Sequence, residues 1–289
     1  MQLHEVIISM RPKQWIKNLF IFAGLLFSEN IFNFPLLYKT LIAFISFSIL
    51  SSSIYIINDM FDIEEDRRHP IKSKRPIPSG KLKISYAIIY SILLLILSLS
   101  ISYLLEPLFL IISIIYLIIH ILYSIILKNI FIIDLFAIAF GFVLRVVAGT
   151  VVIHVDISPW LLTCTILLSL FIGSGKRRSE LNILELKAKE HREVFKKYTT
   201  YLLDQMISIV TASTVIAYIL YTLSEETINR FGMGMIFTVP FVLYGIFRYL
   251  YLIYEKNGGG NPENMLLTDK ALTIDILFWI ISVIIITYI

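Results

Sequence analysis

Three aspartates, Asp59, Asp62 and Asp66, stand in the run NDMFDIEEDRRHPIKSKRPIPSG, which extends from Asn58 to Gly80. Wound as an α-helix at about 100° per residue, with Asp59 at zero, Asp62 falls near about −60° and Asp66 near about −20°. The three carboxylates share one narrow face. Asn58 flanks them, and Glu64 and Glu65 point the other way. Like charges packed this closely are unfavourable unless a cation sits among them. A face of hard oxygen donors suits Mg2+, which commonly takes one or two carboxylates together with substrate phosphates. The spacing therefore points to metal–diphosphate chemistry, with Asp59, Asp62 and Asp66 as ligands. A solvated acidic helix end is the plain alternative.

Cations recur around this face. Arg67, Arg68, His69, Lys72, Lys74 and Arg75 follow it, and Pro70, Pro76, Pro78 and Gly80 shape their segment as a loop. Lys72 and Arg75 are the phosphate-binding candidates there, since a guanidinium suits bidentate contact with phosphate. The opening run RPKQWIKN, residues 11–18, offers Lys13, Lys17 and Asn18, or serves only as an interfacial anchor of Trp and Lys. Lys128 and Asp134 mark the start of a later apolar run, and Arg145 lies deep within it. An ionised group at such depth usually faces a polar cavity. Asp134 and Arg145 are three turns apart, about 16 Å along the axis, so they share a face without pairing. Lys176 and Arg177 open a second basic segment, Tyr198 precedes the next apolar run, and Arg248 approaches the end of another. Glu263 and Asp269 are accounted for by helix-start chemistry.

The elements that must hold these residues are membrane helices. The 289 residues are 57% hydrophobic and only 16% charged, with a mean hydropathy of +0.82; a soluble domain carries about 25% charged residues. Apolar runs near membrane-spanning length recur throughout. Nine spans are expected, at 17–34, 38–57, 84–105, 108–127, 131–152, 159–175, 201–223, 232–253 and 271–288, in a single transmembrane domain covering residues 1–289. Gly24 and Pro35 loosen the first, which enters the membrane obliquely. The long charged segments after the second and sixth spans hint at two related halves. With the N-terminus in the cytoplasm, 21 of the 25 Lys and Arg fall on the cytoplasmic side, as the positive-inside rule requires. The C-terminus is then outside, and the cytoplasmic loops cap the site. The N-terminus does not read as a cleaved signal peptide, and the lone Cys164 excludes an intrachain disulfide.

No P-loop, dinucleotide fingerprint, zinc-protease helix or nucleophile elbow occurs, so nucleotide hydrolysis, hydride transfer, zinc proteolysis and serine-hydrolase chemistry lose support. The basic residues lie against a membrane, which argues against nucleic acid as a partner. A transporter would carry charge at both faces; here it crowds at one.

These residues resemble the UbiA superfamily of membrane prenyltransferases, whose first Asp-rich motif looks like Asn58-Asp59-x2-Asp62-x3-Asp66. Within it the closer likeness is to the decaprenyl-phosphate phosphoribosyltransferases, on RPKQWIKN, HPIKSKRPIPSGK, GFVLRVVAG, KRRSEL and PENMLLTD. The prenyl-diphosphate users of the superfamily carry a second Asp-rich motif after the sixth span. This chain has Lys176-Arg177-Arg178-Ser179-Glu180 in that place. The resemblance implies an all-α membrane bundle of about nine helices. It also implies Mg2+-dependent transfer of 5-phosphoribosyl from phosphoribosyl diphosphate to a polyprenyl phosphate. Asp59, Asp62, Asp66 and Asn58 would be the catalytic set, and a homo-oligomer remains open. The alternative within the superfamily is transfer of a prenyl group from its diphosphate to an aromatic or other small acceptor.

Overall fold

The computed structural model describes residues 2–184, 193–256, 260 and 262–288. Three cations of the second basic segment, Lys187, Lys189 and Arg192, lie outside them. No strand occurs among the described residues. The helices are α1 (Gln2–Met10), α2 (Ala23–Phe27), α3 (Phe34–Phe61), α4 (Ile63–Arg68), α5 (Ile84–Leu105), α6 (Pro107–Ile125) and α7 (Ile133–Val152). They continue with α8 (Pro159–Leu184), α9 (Thr200–Leu223), α10 (Glu225–Phe231), α11 (Val239–Tyr254), α12 (Pro262–Thr268) and α13 (Lys270–Tyr288). Starts follow local chemistry. Pro35, Pro107 and Pro240 occupy first-turn positions, where the missing N–H costs nothing. Thr199 caps α9 by accepting from the Leu202 amide at 3.1 Å.

Eight helices are long and apolar enough to cross a membrane, counting Glu225–Tyr254 as one. The first expected span is built differently. It is a 3-10 helix, Pro12–Phe22, running into α2. At about 2.0 Å per 3-10 residue and about 1.5 Å per α residue, the pair reaches roughly 30 Å, close to the hydrocarbon thickness of a bilayer. The segment seats against α7 at Gly149, where a Cβ would stand 1.9 Å from the Ile21 carbonyl oxygen. Only a hydrogen fits there.

Apolar side chains gather into two main clusters. One joins Ile21, Leu25, Phe47, Phe109, Tyr116 and Leu144 from the 3-10 segment, α2, α3, α6 and α7. The other joins Phe171, Ile207, Ile246, Tyr249, Met265 and Leu272 from α8, α9, α11, α12 and α13. A third cluster, with Leu135, Ala139, Leu170 and Leu203, joins α7 to α8 and α9. In lipid the hydrophobic effect does not bring helices together, so small polar residues do much of the joining. Ser46 and Ser98 exchange hydroxyl-to-carbonyl bonds of 3.0 and 2.8 Å between α3 and α5. Ser102 carries the chain of hydroxyls to Ser113 on α6.

The bundle has two unlike ends. At one, Val6 of α1 packs with Ile56, Ile77, Leu82 and Ala87, clamping the 69–83 loop over the end of α3. At the other, Ile31 donates its amide to the Tyr288 hydroxyl, and Glu29 pairs with Arg230. The chain begins at the first end and finishes at the second.

Candidate functional site

At the first end, α3 stops at Phe61, bends at Asp62 and resumes as α4. The bend keeps the helical register. Asp62 N–H donates to the Asn58 carbonyl at 3.0 Å, and Asp66 N–H donates to the Asp62 carbonyl at 2.7 Å. The carboxylate face read from the spacing therefore survives a break that the sequence reading did not include. Asp59, Asp62 and Asp66 are 1%, 2% and 2% exposed, so three negative charges are withdrawn from water together.

The required cations come from the chain itself. Arg75 Nη1 donates to Asp59 at 3.0 Å and to Asp66 at 2.5 Å. Arg11 also binds Asp59, and Lys128 binds Asp62. Arg11 is placed by a turn in the left-handed region, at φ 53°, a conformation uncommon for a residue with a side chain. The turn reverses the chain between α1 and the 3-10 segment, and the guanidinium lies over the Tyr55 ring. Burial and the neighbouring Arg11 pull the Arg75 guanidinium below its ordinary pKa. Two cations thus compete at Asp59. Asn58 donates to Asp62 at 3.2 Å and accepts from Ser124 at 2.8 Å, which fixes its amide beside the carboxylates. In the loop, His69 Nδ1 accepts from the amides of Ile71 and Lys72, so the backbone at Lys72 is held in place.

Among the described residues no three acidic, histidine or cysteine side chains converge to enclose an ion. The donor set still fits Mg2+. All its atoms are hard carboxylate oxygens, and one nitrogen of Arg75 occupies a bridging position between Asp59 and Asp66. A divalent ion at that place requires the guanidinium to turn away.

A second group lies deeper. Arg145, 3% exposed, bonds only neutral oxygens: Asn18 at 2.8 Å, the Gly141 carbonyl at 2.9 Å and the Tyr116 hydroxyl at 2.6 Å. Its charge is also spread over the rings of Tyr116 and Phe142. Lys17 pairs with Glu263 at 3.5 Å, while Gln14 bonds both of them. Lys176 is within electrostatic reach of Glu180, Lys17 and Glu263 and makes no hydrogen bond or ion pair among the described residues. His120 Nε2, the Tyr249 hydroxyl and Glu263 Oε2 are buried without hydrogen-bond partners. Positive charge in excess, with polar atoms lacking hydrogen-bond partners, suits a polar anion.

Other expected site residues are placed elsewhere. Asp134, fully buried, accepts from Arg177 at 2.5 Å and from Tyr198 at 2.7 Å. Arg177 also binds Glu180 at 2.8 Å and lies over Phe195. Expected to bind substrate, these three are committed to one another and to joining α7, α8 and the approach to α9. Arg248 makes two bonds to Asp269, at 3.1 and 2.8 Å, across to the start of α13. Lys13 is exposed and makes no ion pair among the described residues. Conversely, Glu263, Arg11, Gln14 and Tyr249 were missed as site residues. Glu263 looked like an ordinary first-turn acid, and it is 249 residues from Gln14 in sequence. Only its being 4% exposed sets it apart.

The all-helical bundle of long apolar helices is that of a multi-pass membrane protein, and its relatives place it among the membrane transferases. Within that class the chain belongs to the UbiA prenyltransferase family, which matches residues 18–268. It is 32% identical to decaprenyl-phosphate phosphoribosyltransferase of Corynebacterium glutamicum, over 98% of this chain and 87% of the relative. It is also 32% identical to the enzyme of that name from Mycolicibacterium smegmatis, over 95% of this chain and 90% of the relative. The fold matches a UbiA homolog from Archaeoglobus fulgidus solved with GPP and Mg2+, at a TM-score of 0.74 and 19% identity, covering 99% of this chain and all of the homolog.

Proposed function

We propose that this transferase moves 5-phosphoribosyl from phosphoribosyl diphosphate to a polyprenyl phosphate, releasing diphosphate. The observation that carries the reading is charge. Where a prenyl-diphosphate user has a second acidic motif, this chain has Lys176, which is within electrostatic reach of Lys17, as Lys17 is of Arg145 and of Arg11 at Asp59. One acidic and one basic group suit a metal-bound diphosphate plus two further phosphates, the donor's 5-phosphate and the lipid's monoester. The names of the two bacterial relatives support the same substrates.

In this reaction an oxygen of the lipid phosphate bonds to ribose C1 as the bond from C1 to the diphosphate breaks. The electron pair leaves with the diphosphate. The nucleophile is already anionic, so no strong general base is needed. Asp59, Asp62 and Asp66 are the residues that would hold Mg2+, whose contribution is to offset charge on the leaving group. Arg11, Arg75 and Lys128, which neutralise those carboxylates in the free protein, then turn to phosphate oxygens. Lys17, Lys176 and Arg145 bring two anions together that otherwise repel, and Asn58 orients the diphosphate. Most of the rate comes from positioning and electrostatics. The lipid tail lies along apolar helix faces, and the positive-inside bias supports an active site on the cytoplasmic side.

The test is incubation of the purified protein with labelled phosphoribosyl diphosphate and polyprenyl phosphate in the presence of Mg2+. The expected outcome is label in the lipid fraction and one diphosphate released per transfer. Absence of labelled lipid, with consumption of a prenyl diphosphate and a small aromatic acceptor instead, overturns the proposal.

A further inference from the structure

A carboxylate is an odd companion for cations proposed to bind phosphates. Glu263 repels any phosphate that approaches Lys17 or Lys176, and phosphate binding alone would be better served by a neutral residue. Yet the chain holds this carboxylate in place with care. Gln14 binds Oε1 and also accepts from Lys17. Glu263 Oε2 faces Lys17 at 3.5 Å, beyond hydrogen-bond length for most such pairs, and has no hydrogen-bond partner. Tyr249 is similar. It is 6% exposed, and its ring rests on Phe171 at a centroid distance of 5.2 Å. It also sits close to α8, where a Cβ on Gly175 would stand 3.6 Å from Tyr249 Cε1. Its hydroxyl is buried without a partner and within electrostatic reach of Glu263. An acceptor-only carboxylate oxygen and a phenol that both donates and accepts are thus left unused beside two lysines.

Glu263 has little to offer a phosphate, and both groups can bond a hydroxyl. We infer that Glu263 and Tyr249 form the subsite for the ribosyl hydroxyls of the donor, with Gln14 orienting the carboxylate; the inference rests on the donor class proposed above. A prenyl donor carries no hydroxyl and would leave both groups buried and unsatisfied. A site built to bond a hydroxyl discriminates strongly against an analogue that lacks one. Glu263 and Tyr249 are therefore specificity-determining residues, separate from the Asp59–Asp66 face that handles the leaving group.

The experiment measures inhibition of the full-length protein by ribose 5-phosphate, 2-deoxyribose 5-phosphate and inorganic diphosphate, comparing wild type with Glu263→Gln and Tyr249→Phe. Wild type is expected to bind the ribose compound more tightly than the deoxy one. Glu263→Gln should weaken ribose 5-phosphate about tenfold or more, the loss of a charge-assisted hydrogen bond, and should narrow the gap to the deoxy compound. Inhibition by inorganic diphosphate should not weaken. Tyr249→Phe, which removes one oxygen, should act in the same direction by about threefold and covers the case in which the Glu263 variant fails to fold. A gap left intact in both variants overturns the inference. So does a parallel weakening of inorganic diphosphate, which would make Glu263 a counter-charge only. Wild type that does not turn over phosphoribosyl diphosphate overturns the proposed function as well. Turnover with an unchanged gap overturns this inference alone.

Discussion

Two of the clusters in which carboxylates meet cations contrast with each other. At the end of α3, Asp59, Asp62 and Asp66 share Arg11, Arg75 and Lys128. Farther along, Asp134 shares Arg177 and Tyr198. The difference lies in access. The side chains of Arg11 and Arg75 are 20% and 26% exposed, long and able to turn toward solvent. The side chain of Arg177 is 4% exposed against a carboxylate at 0%, and it is held by Glu180 and Phe195 as well. Arg11 and Arg75 thus have room to release Asp59 and Asp66, whereas Lys128, 6% exposed, is held at Asp62. The second cluster cannot open without stranding a buried charge. Similar residue types are therefore partly open to solvent in one place, as the proposed metal site requires, and form a clamp between helices in the other.

The largest expected effect tests the exchangeable cluster. Asp59→Asn or Asp62→Asn should lower turnover by a factor of about a thousand or more, roughly 4 kcal/mol in activation free energy, with the thermal melt in detergent nearly unchanged. Chelation of divalent ions should do the same, and Mg2+ should restore activity. Loss of fold in these variants would erase the distinction drawn above.

The clamp should behave in the opposite way. Asp134→Ala leaves Arg177 without a principal partner, and breaking such a buried pair costs about 3–5 kcal/mol. The readout is a lowered melting temperature or loss of protein from the detergent extract. A variant that melts like wild type but binds substrate poorly would return Asp134 to the substrate site. Lys176→Ala, at the unpaired lysine, should raise KM about tenfold while leaving stability alone; unchanged KM for both substrates would remove it from the phosphate set.

The smallest effect is in pH. Burial pushes the Glu263 carboxyl up, but Lys17, Lys176 and the Gln14 hydrogen bond more than offset it, leaving it below the usual carboxylate range. A depressed value in the folded protein means a contribution to stability that is fully present above the unfolded pKa and is lost as pH falls through the folded value. Acid should therefore lower the melting temperature between the ordinary carboxylate range and more acidic pH, with a slope of at most about 1.4 kcal/mol per pH unit for one proton. The slope should flatten in Glu263→Gln. Equal slopes in the two proteins would show that Glu263 does not carry it.

Much of this was legible along the chain. Membrane helices announce themselves by apolar runs, because a lipid-facing backbone must satisfy its own hydrogen bonds within one segment. The face shared by Asp59, Asp62 and Asp66 follows from helical periodicity, and that periodicity held even across the bend at Asp62. The first span was harder to read, since a 3-10 helix advances farther per residue and leaves no 3.6-residue pattern to recognise.

Local sequence thus determined that this is a helical membrane protein with an acidic face and cations in surplus around it. Tertiary structure alone decided which cation meets which carboxylate: that Arg177 seals Asp134 while Lys176, its neighbour, makes no ion pair among the described residues, and that Glu263 returns across 249 residues to Gln14. Periodicity fixes what shares a face within one helix. Pairing between helices depends on how distant segments pack, and in a chain with so many similar charges, only packing and burial distinguish a partner from a bystander.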